Sequence, residues 1–256
     1  MEAFVDSGRI PEYEQFLLFG DSITQFSYDQ RLEFGFGAAL QNAYSRRLDV
    51  INRGFSGYTT ANAIKVLPKF FPEPQRARVR LMTIFFGAND AVLPPHAQHV
   101  PLSQYKENLK AIVEHPVISA QKPKIIILTP PPVNEYQLEA FDAEKGFESP
   151  SRTASNTKQY ADACREVAHS LGIPVADIWT AFMKAAGWQD GQPLAGSKEI
   201  PKNDILESLL TDGLHVTGKG YKIMFDEVMK VIEATWPDQV PERLPMIFPH
   251  WSEAPK

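Results

Sequence analysis

The sequence predicts an α/β protein, a three-layer α/β/α sandwich around a parallel five-stranded sheet. Two observations carry this. Five short runs are apolar at nearly every position, as strands covered on both faces must be. Between them lie segments with apolar residues at helical spacing, so strands and helices alternate along the chain, the pattern of crossover-connected parallel sheets. A length of 256 residues suits one large domain of this class, residues 1–256, with a core over about 14–236 and a Pro-rich tail over 237–256.

In chain order, the expected strands are Phe16–Phe19, Leu48–Ile51, Leu81–Phe86, Ile125–Thr129 and Pro174–Ile178. The expected helices are Phe36–Tyr44, Ala61–Phe70, Tyr105–Ile118, Thr157–Leu171 and Gly220–Trp236. Two segments break the alternation. Residues 130–150, PPPVNEYQLEAFDAEKGFESP, are too long for an ordinary connection of about 2–6 residues. They are either a substrate-side loop or a solvated excursion, the latter favoured by Glu139, Asp142, Glu144, Lys145 and Glu148. The tail carries five prolines and cannot be a long helix, so it either wraps the surface or serves a subunit contact.

Composition excludes several function classes. The chain is 43% hydrophobic and 22% charged, ordinary for a globular protein. A net charge of −5, with Lys and Arg scattered, gives no footprint for nucleic acid. Cys164 is the only cysteine, so no intramolecular disulfide forms. Met1–Asp6 lack the basic start and apolar stretch of a signal peptide, and no stretch approaches the roughly 18 apolar residues of a membrane span. The expectation is a soluble, cytoplasmic protein.

The chemistry lies in four places. Gly20-Asp21-Ser22-Ile23-Thr24 follows the first apolar run, which puts Ser22 at the carboxyl end of a strand, where open α/β sheets place ligands. Asp212-Gly213-Leu214-His215 puts an aspartate and a histidine three apart in a turn. A serine needs a base within hydrogen-bond reach and a third group to fix that base's tautomer, and His215 and Asp212 fit those roles. Acyl transfer also needs donors for the oxyanion, each worth about 10²–10³ in rate. Gly57, after the second strand, can offer its backbone N–H, and Asn89, after the third, its side-chain amide. With the strand order 2-1-3-4-5 of flavodoxin-like sheets, the loops bearing Ser22, Gly57 and Asn89 are neighbours.

The remaining motifs read as structure. Asp21 braces its turn, since adjacent side chains on an extended segment point apart. Asp90 is a structural or capping carboxylate. His96 and His99 have metal-like spacing without a Cys or carboxylate partner, and a solvated loop explains them better. Phe34–Leu40 holds a GxG without the third glycine of a dinucleotide fingerprint, and no G-x-S-x-G elbow is present.

Gly20-Asp21-Ser22, Gly57, Gly87-Ala88-Asn89-Asp90 and Asp212-Gly213-Leu214-His215 resemble, in order, the four blocks of the SGNH (GDSL-type) hydrolases. Residues 51–60, INRGFSGYTT, and 85–91, FFGANDA, further resemble the isoamyl acetate-hydrolysing esterase branch, which implies short-chain ester substrates. The resemblance implies that Ser22 is the nucleophile, His215 the general acid/base and Asp212 its orienting carboxylate. It implies an oxyanion hole of the Ser22 and Gly57 N–H groups and the Asn89 side chain. It implies no metal or organic cofactor, and a homodimer, for which the tail is a candidate contact. Ile23, Phe26, Val133 and Leu214 are candidate substrate-pocket residues, each equally suited to the core. The same five polar positions would also serve a carbohydrate O-deacetylase or a thioesterase, and the fold alone would serve a non-catalytic binding protein.

Overall fold

A computed structural model describes residues 13–254 of the chain; the reading of Met1–Asp6 falls outside them. Five strands, β1 (Glu14–Gly20), β2 (Leu48–Gly54), β3 (Val79–Phe85), β4 (Lys124–Leu128) and β5 (Val175–Ala176), form one parallel sheet in the order β2-β1-β3-β4-β5. Among the described residues, the helices are α1 (Ser22–Gln25), α2 (Phe36–Ala43), α3 (Thr60–Phe70), α4 (Leu102–Val113), α5 (Pro116–Gln121), α6 (Glu135–Glu144), α7 (Ala154–Ser170), α8 (Ile178–Ala185), α9 (Asp204–Leu209) and α10 (Gly218–Thr235).

Strand alternation divides the core into two halves. Phe16 and Leu18 of β1 face one cluster, with Leu40 of α2, Phe182 of α8 and Met224 of α10. Leu17 and Phe19 face the other, with Leu67 of α3, Leu109 of α4 and Cys164 of α7. The sheet is therefore covered on both faces, as its uniformly apolar strands require.

Four expectations are corrected. The helical pattern over Tyr105–Ile118 is two helices, α4 and α5, because residues preceding a proline disfavour helical backbone and Pro116 follows His115. The strand expected over Pro174–Ile178 shortens to Val175–Ala176, since Asp177 caps α8 by accepting from the Thr180 N–H and Ile178 begins that helix. The 130–150 excursion contains α6, whose Asn134 cap accepts from the Tyr136 N–H. Asp142, expected on its solvated face, is buried and accepts from Ser151 N (2.8 Å) and Oγ (2.6 Å).

The tail wraps its own chain. Arg46 Nη2 donates to the carbonyls of Phe248 and Pro249, Tyr44 Oη to that of Gln239, and Arg47 Nε to that of Leu244. Among the described residues, no helix is long and apolar enough to cross a membrane.

Candidate active site

Strand register brings three loops to one edge. Gly20 at the end of β1 pairs with Gly54 on β2 and Phe85 on β3, so the chain leaves all three strands at one level. Ser22, Gly57 and Asn89 follow within four residues of those ends. A Cβ at Gly20 would clash with Thr24 Oγ1 and lie 2.7 Å from the Phe85 carbonyl, so glycine permits the immediate turn into α1. Asp21 caps that turn by accepting from the Ile23 N–H (2.9 Å).

Side-chain amides stitch the loops together. Asn52 Nδ2 donates to the Thr24 carbonyl (2.9 Å), and its Oδ1 accepts from Gly54 N (2.8 Å). Gln25 Oε1 accepts from Ser56 N (2.8 Å), and Gln98 Nε2 donates to the Gly57 carbonyl (2.7 Å). Gly57 has φ +79°, a left-handed backbone that a side chain disfavours. Among the described residues, the N–H groups of Ser22 and Gly57 have no acceptor. Asn89 Nδ2 gives one hydrogen to the Tyr58 carbonyl (2.9 Å), which leaves its second N–H free for a ligand.

The imidazole and its carboxylate come from a loop before α10. Asp212 Oδ1 accepts from the N–H groups of Leu214 (3.0 Å) and His215 (2.8 Å), and Oδ2 lies 2.7 Å from His215 Nδ1. His215 Nε2 lies 3.0 Å from Ser22 Oγ, 193 residues away in sequence. Thr211 closes the loop through its N–H to the His215 carbonyl (2.8 Å), beside an antiparallel bridge between Leu210 and Val216. The helix of the excursion lies against this loop: Asn134 N donates to the Gly213 carbonyl (3.0 Å), and the Phe141 ring stands 6.1 Å from the His215 ring. Phe26 approaches the same imidazole at 5.7 Å.

Electrostatics separate the carboxyls. Burial works to raise Asp212, but the hydrogen bonds from the His215 ring and from two backbone N–H groups outweigh it and hold the carboxyl at about 2. Burial pushes Asp21 up to about 7, against the Ile23 hydrogen bond. Asp90, which accepts from the Thr60 N–H and hydroxyl at the start of α3, is raised to about 6 by burial.

Of the four candidate pocket residues, Ile23, Val133 and Leu214 are buried within the core cluster, and Phe26 presents 38% of its surface beside His215. A cavity of about 270 Å³ opens there, lined by Phe26, Leu32, Thr211, Asp212, His215 and Val216 among others. His99 Nδ1 is committed to the Val92 carbonyl (2.6 Å) and His96 packs on Phe147. Among the described residues, no group of three or more His, Cys, Asp or Glu is placed to hold a metal ion.

Sequence reasoning missed Arg152. Its side chain is buried directly behind Asn89, donating to Asn89 Oδ1 (3.2 Å) and to the Ala88 carbonyl (2.7 Å). No motif or spacing marks an isolated arginine at the end of a polar loop.

Comparison with known proteins shows the family. Residues 18–223 match the GDSL-like Lipase/Acylhydrolase family. The chain is 36% identical to a GDSL esterase/lipase of Arabidopsis thaliana over 93% of its own length and 92% of the relative's. It is 34% identical to the isoamyl acetate-hydrolyzing esterase of Saccharomyces cerevisiae, over 94% of this chain and 95% of that one. Among solved structures, a lipase/acylhydrolase from Enterococcus faecalis superposes with a TM-score of 0.61 at 24% identity, covering 91% of this chain and 98% of that one.

Proposed function

Because the chain belongs to the GDSL-like lipase/acylhydrolase family and is a carboxylic ester hydrolase, we propose that it hydrolyses short-chain, acetate-type esters through an acyl-enzyme on Ser22. The observation that carries this is the hydrogen-bonded line Ser22–His215–Asp212, with separations of 3.0 and 2.7 Å. The similarity to the yeast isoamyl acetate-hydrolyzing esterase supports the acetate preference.

With Nδ1–H turned to the Asp212 carboxylate, His215 presents the Nε2 lone pair to Ser22. As Oγ attacks the ester carbonyl carbon, its proton passes to Nε2. The carbonyl oxygen becomes an oxyanion held by the N–H groups of Ser22 and Gly57 and the free Asn89 N–H. Collapse breaks the bond to the alcohol oxygen, which leaves with the proton from Nε2. Water then attacks the acyl-enzyme, giving a proton to His215, and the second collapse returns that proton to Ser22 Oγ and frees the acid.

Ser22→Ala is the test. With isoamyl acetate or p-nitrophenyl acetate, kcat should fall by about 10⁴ or more, and labelling by a fluorophosphonate should disappear. Near-normal turnover would sink the assignment. Comparing kcat/KM over aliphatic esters of rising acyl length, an acetylated xyloside and an acyl thioester checks the substrate class; a preference for the sugar or the thioester would replace the short-ester reading.

A further inference from the structure

Arg152 is a cation taken out of water without a carboxylate at its side. It is 3% exposed, and its hydrogen-bond partners among the described residues are neutral: the Ala88 carbonyl to Nε, Ser151 Oγ to Nη1 and Asn89 Oδ1 to Nη2. The buried carboxylate of Asp142 is taken by Ser151, whose hydroxyl donates to it at 2.6 Å. Asp21, Asp142 and Asp212 act on the guanidinium only at a distance. Burying a cation away from a direct carboxylate partner opposes folding. The site therefore gains something from the charge that packing would not supply.

The gain is visible at Asn89. A side-chain amide is nearly symmetric in shape, so its orientation is set by its partners. Here Nδ2 meets the Tyr58 carbonyl and Oδ1 meets Arg152 Nη2. Turned by half a rotation, the amide would set oxygen against the Tyr58 carbonyl and nitrogen against the guanidinium, two repulsive contacts at once. The same contact bears on polarity. A cation bonded to the amide oxygen draws electron density from the nitrogen, which strengthens its remaining N–H as a donor, as in a cooperative hydrogen-bond chain.

We infer that Arg152 is the positioning residue of the oxyanion site: it locks the Asn89 amide with its free N–H available to the ester oxygen and polarises that N–H for the charge that develops. The inference rests on the proposed role of Asn89 as an oxyanion donor. Arg152 itself does not touch substrate; it acts through Asn89.

A double-mutant cycle separates this role from a merely structural one. Steady-state kcat and KM for p-nitrophenyl acetate would be measured for Arg152→Lys, Arg152→Met, Asn89→Ala and the two double variants, each normalised by end-point fluorophosphonate titration of Ser22. Arg152→Met is expected to lower kcat about 10–100-fold with KM within about threefold, and Arg152→Lys, which keeps the charge but not the fork, less. In the Asn89→Ala background, either substitution should cost about twofold or less, because the group it acts through is gone. Equal factors in both backgrounds would overturn the inference while leaving the Asn89 assignment intact. Wild-type kcat for Asn89→Ala would instead sink the oxyanion reading itself. Should Arg152→Met lose its cooperative thermal transition, Arg152→Lys carries the cycle; loss of the transition in both would make Arg152 a folding residue and overturn the inference.

Discussion

Ser22, Gly57 and Asn89 hang from the ends of three adjacent strands, whereas Asp212 and His215 sit in a loop with no sheet strand beneath it. The first group owes its convergence to the register of β1 with β2 and β3 and to amides that cross between loops, Asn52, Gln25 and Gln98. The second rests first on its own turn, where one oxygen of Asp212 takes two backbone N–H groups within three residues and the other faces the imidazole, and α6 packs on it through Asn134 N and the Gly213 carbonyl. Damage to the strand-borne half should therefore mix stability with rate, while damage to the base loop should be chemical.

Asp212→Asn tests the loop and carries the largest expected effect. Asparagine can still accept from the Leu214 and His215 N–H groups through Oδ1, so the turn should persist with its cooperative thermal transition. Its Nδ2, however, would donate to His215 Nδ1, forcing the proton onto Nε2 and removing the base from Ser22. A fall in kcat of about 10⁴ is expected for short acetate esters. Unfolding of this variant would break the comparison, since the loop would then not be self-supporting.

Gly57→Ala tests the strand-borne half. At φ +79° an L-residue costs about 1–2 kcal/mol, which in a chain of this size lowers the thermal midpoint by about 2–8 °C. A Cβ there meets only Gln98 Nε2, at 3.5 Å, so the strain is in the backbone; a shift that relieves it moves the N–H from its place, and kcat should fall about 10–100-fold. A rate loss with an unchanged midpoint would show that this half, too, is locally held.

The contrast explains what could be read from the sequence. The strand-borne residues follow apolar runs that mark themselves, and strand order then makes neighbours of loops bearing Ser22, Gly57 and Asn89. Asp212 and His215 were legible because their interaction is local. The helix α6 was not, because its buried stripe includes Asp142 beside Leu138, so burial there does not follow polarity. Helix α8 was hidden because Ile178 and Trp179 extend the apolar run of β5, and only the Asp177 cap divides them. Arg152 was invisible for a different reason. Beyond its neighbour Ser151, its partners are an amide oxygen 63 residues away and a main-chain carbonyl 64 residues away, contacts that no local pattern encodes.

The last effect, which sharpens the comparison most, is in the pH dependence of stability. Asp21, in the strand-borne half, titrates at about 7 instead of the ordinary 3.8, so the folded state holds its proton more tightly than the unfolded chain does. Its contribution to stability is complete below about 4 and is lost as pH rises toward 7. Asp212, in the base loop, is held at about 2, so its contribution is complete above about 4 and is lost as pH falls toward 2. Asp21→Asn keeps an acceptor for the Ile23 N–H and removes the titration. Thermal melts should place this variant level with the parent at pH 4, above it at pH 5 and further above it at pH 8. A constant difference across that range would mean that Asp21 does not titrate there, and that the strand-borne half is not the one that weakens as pH rises.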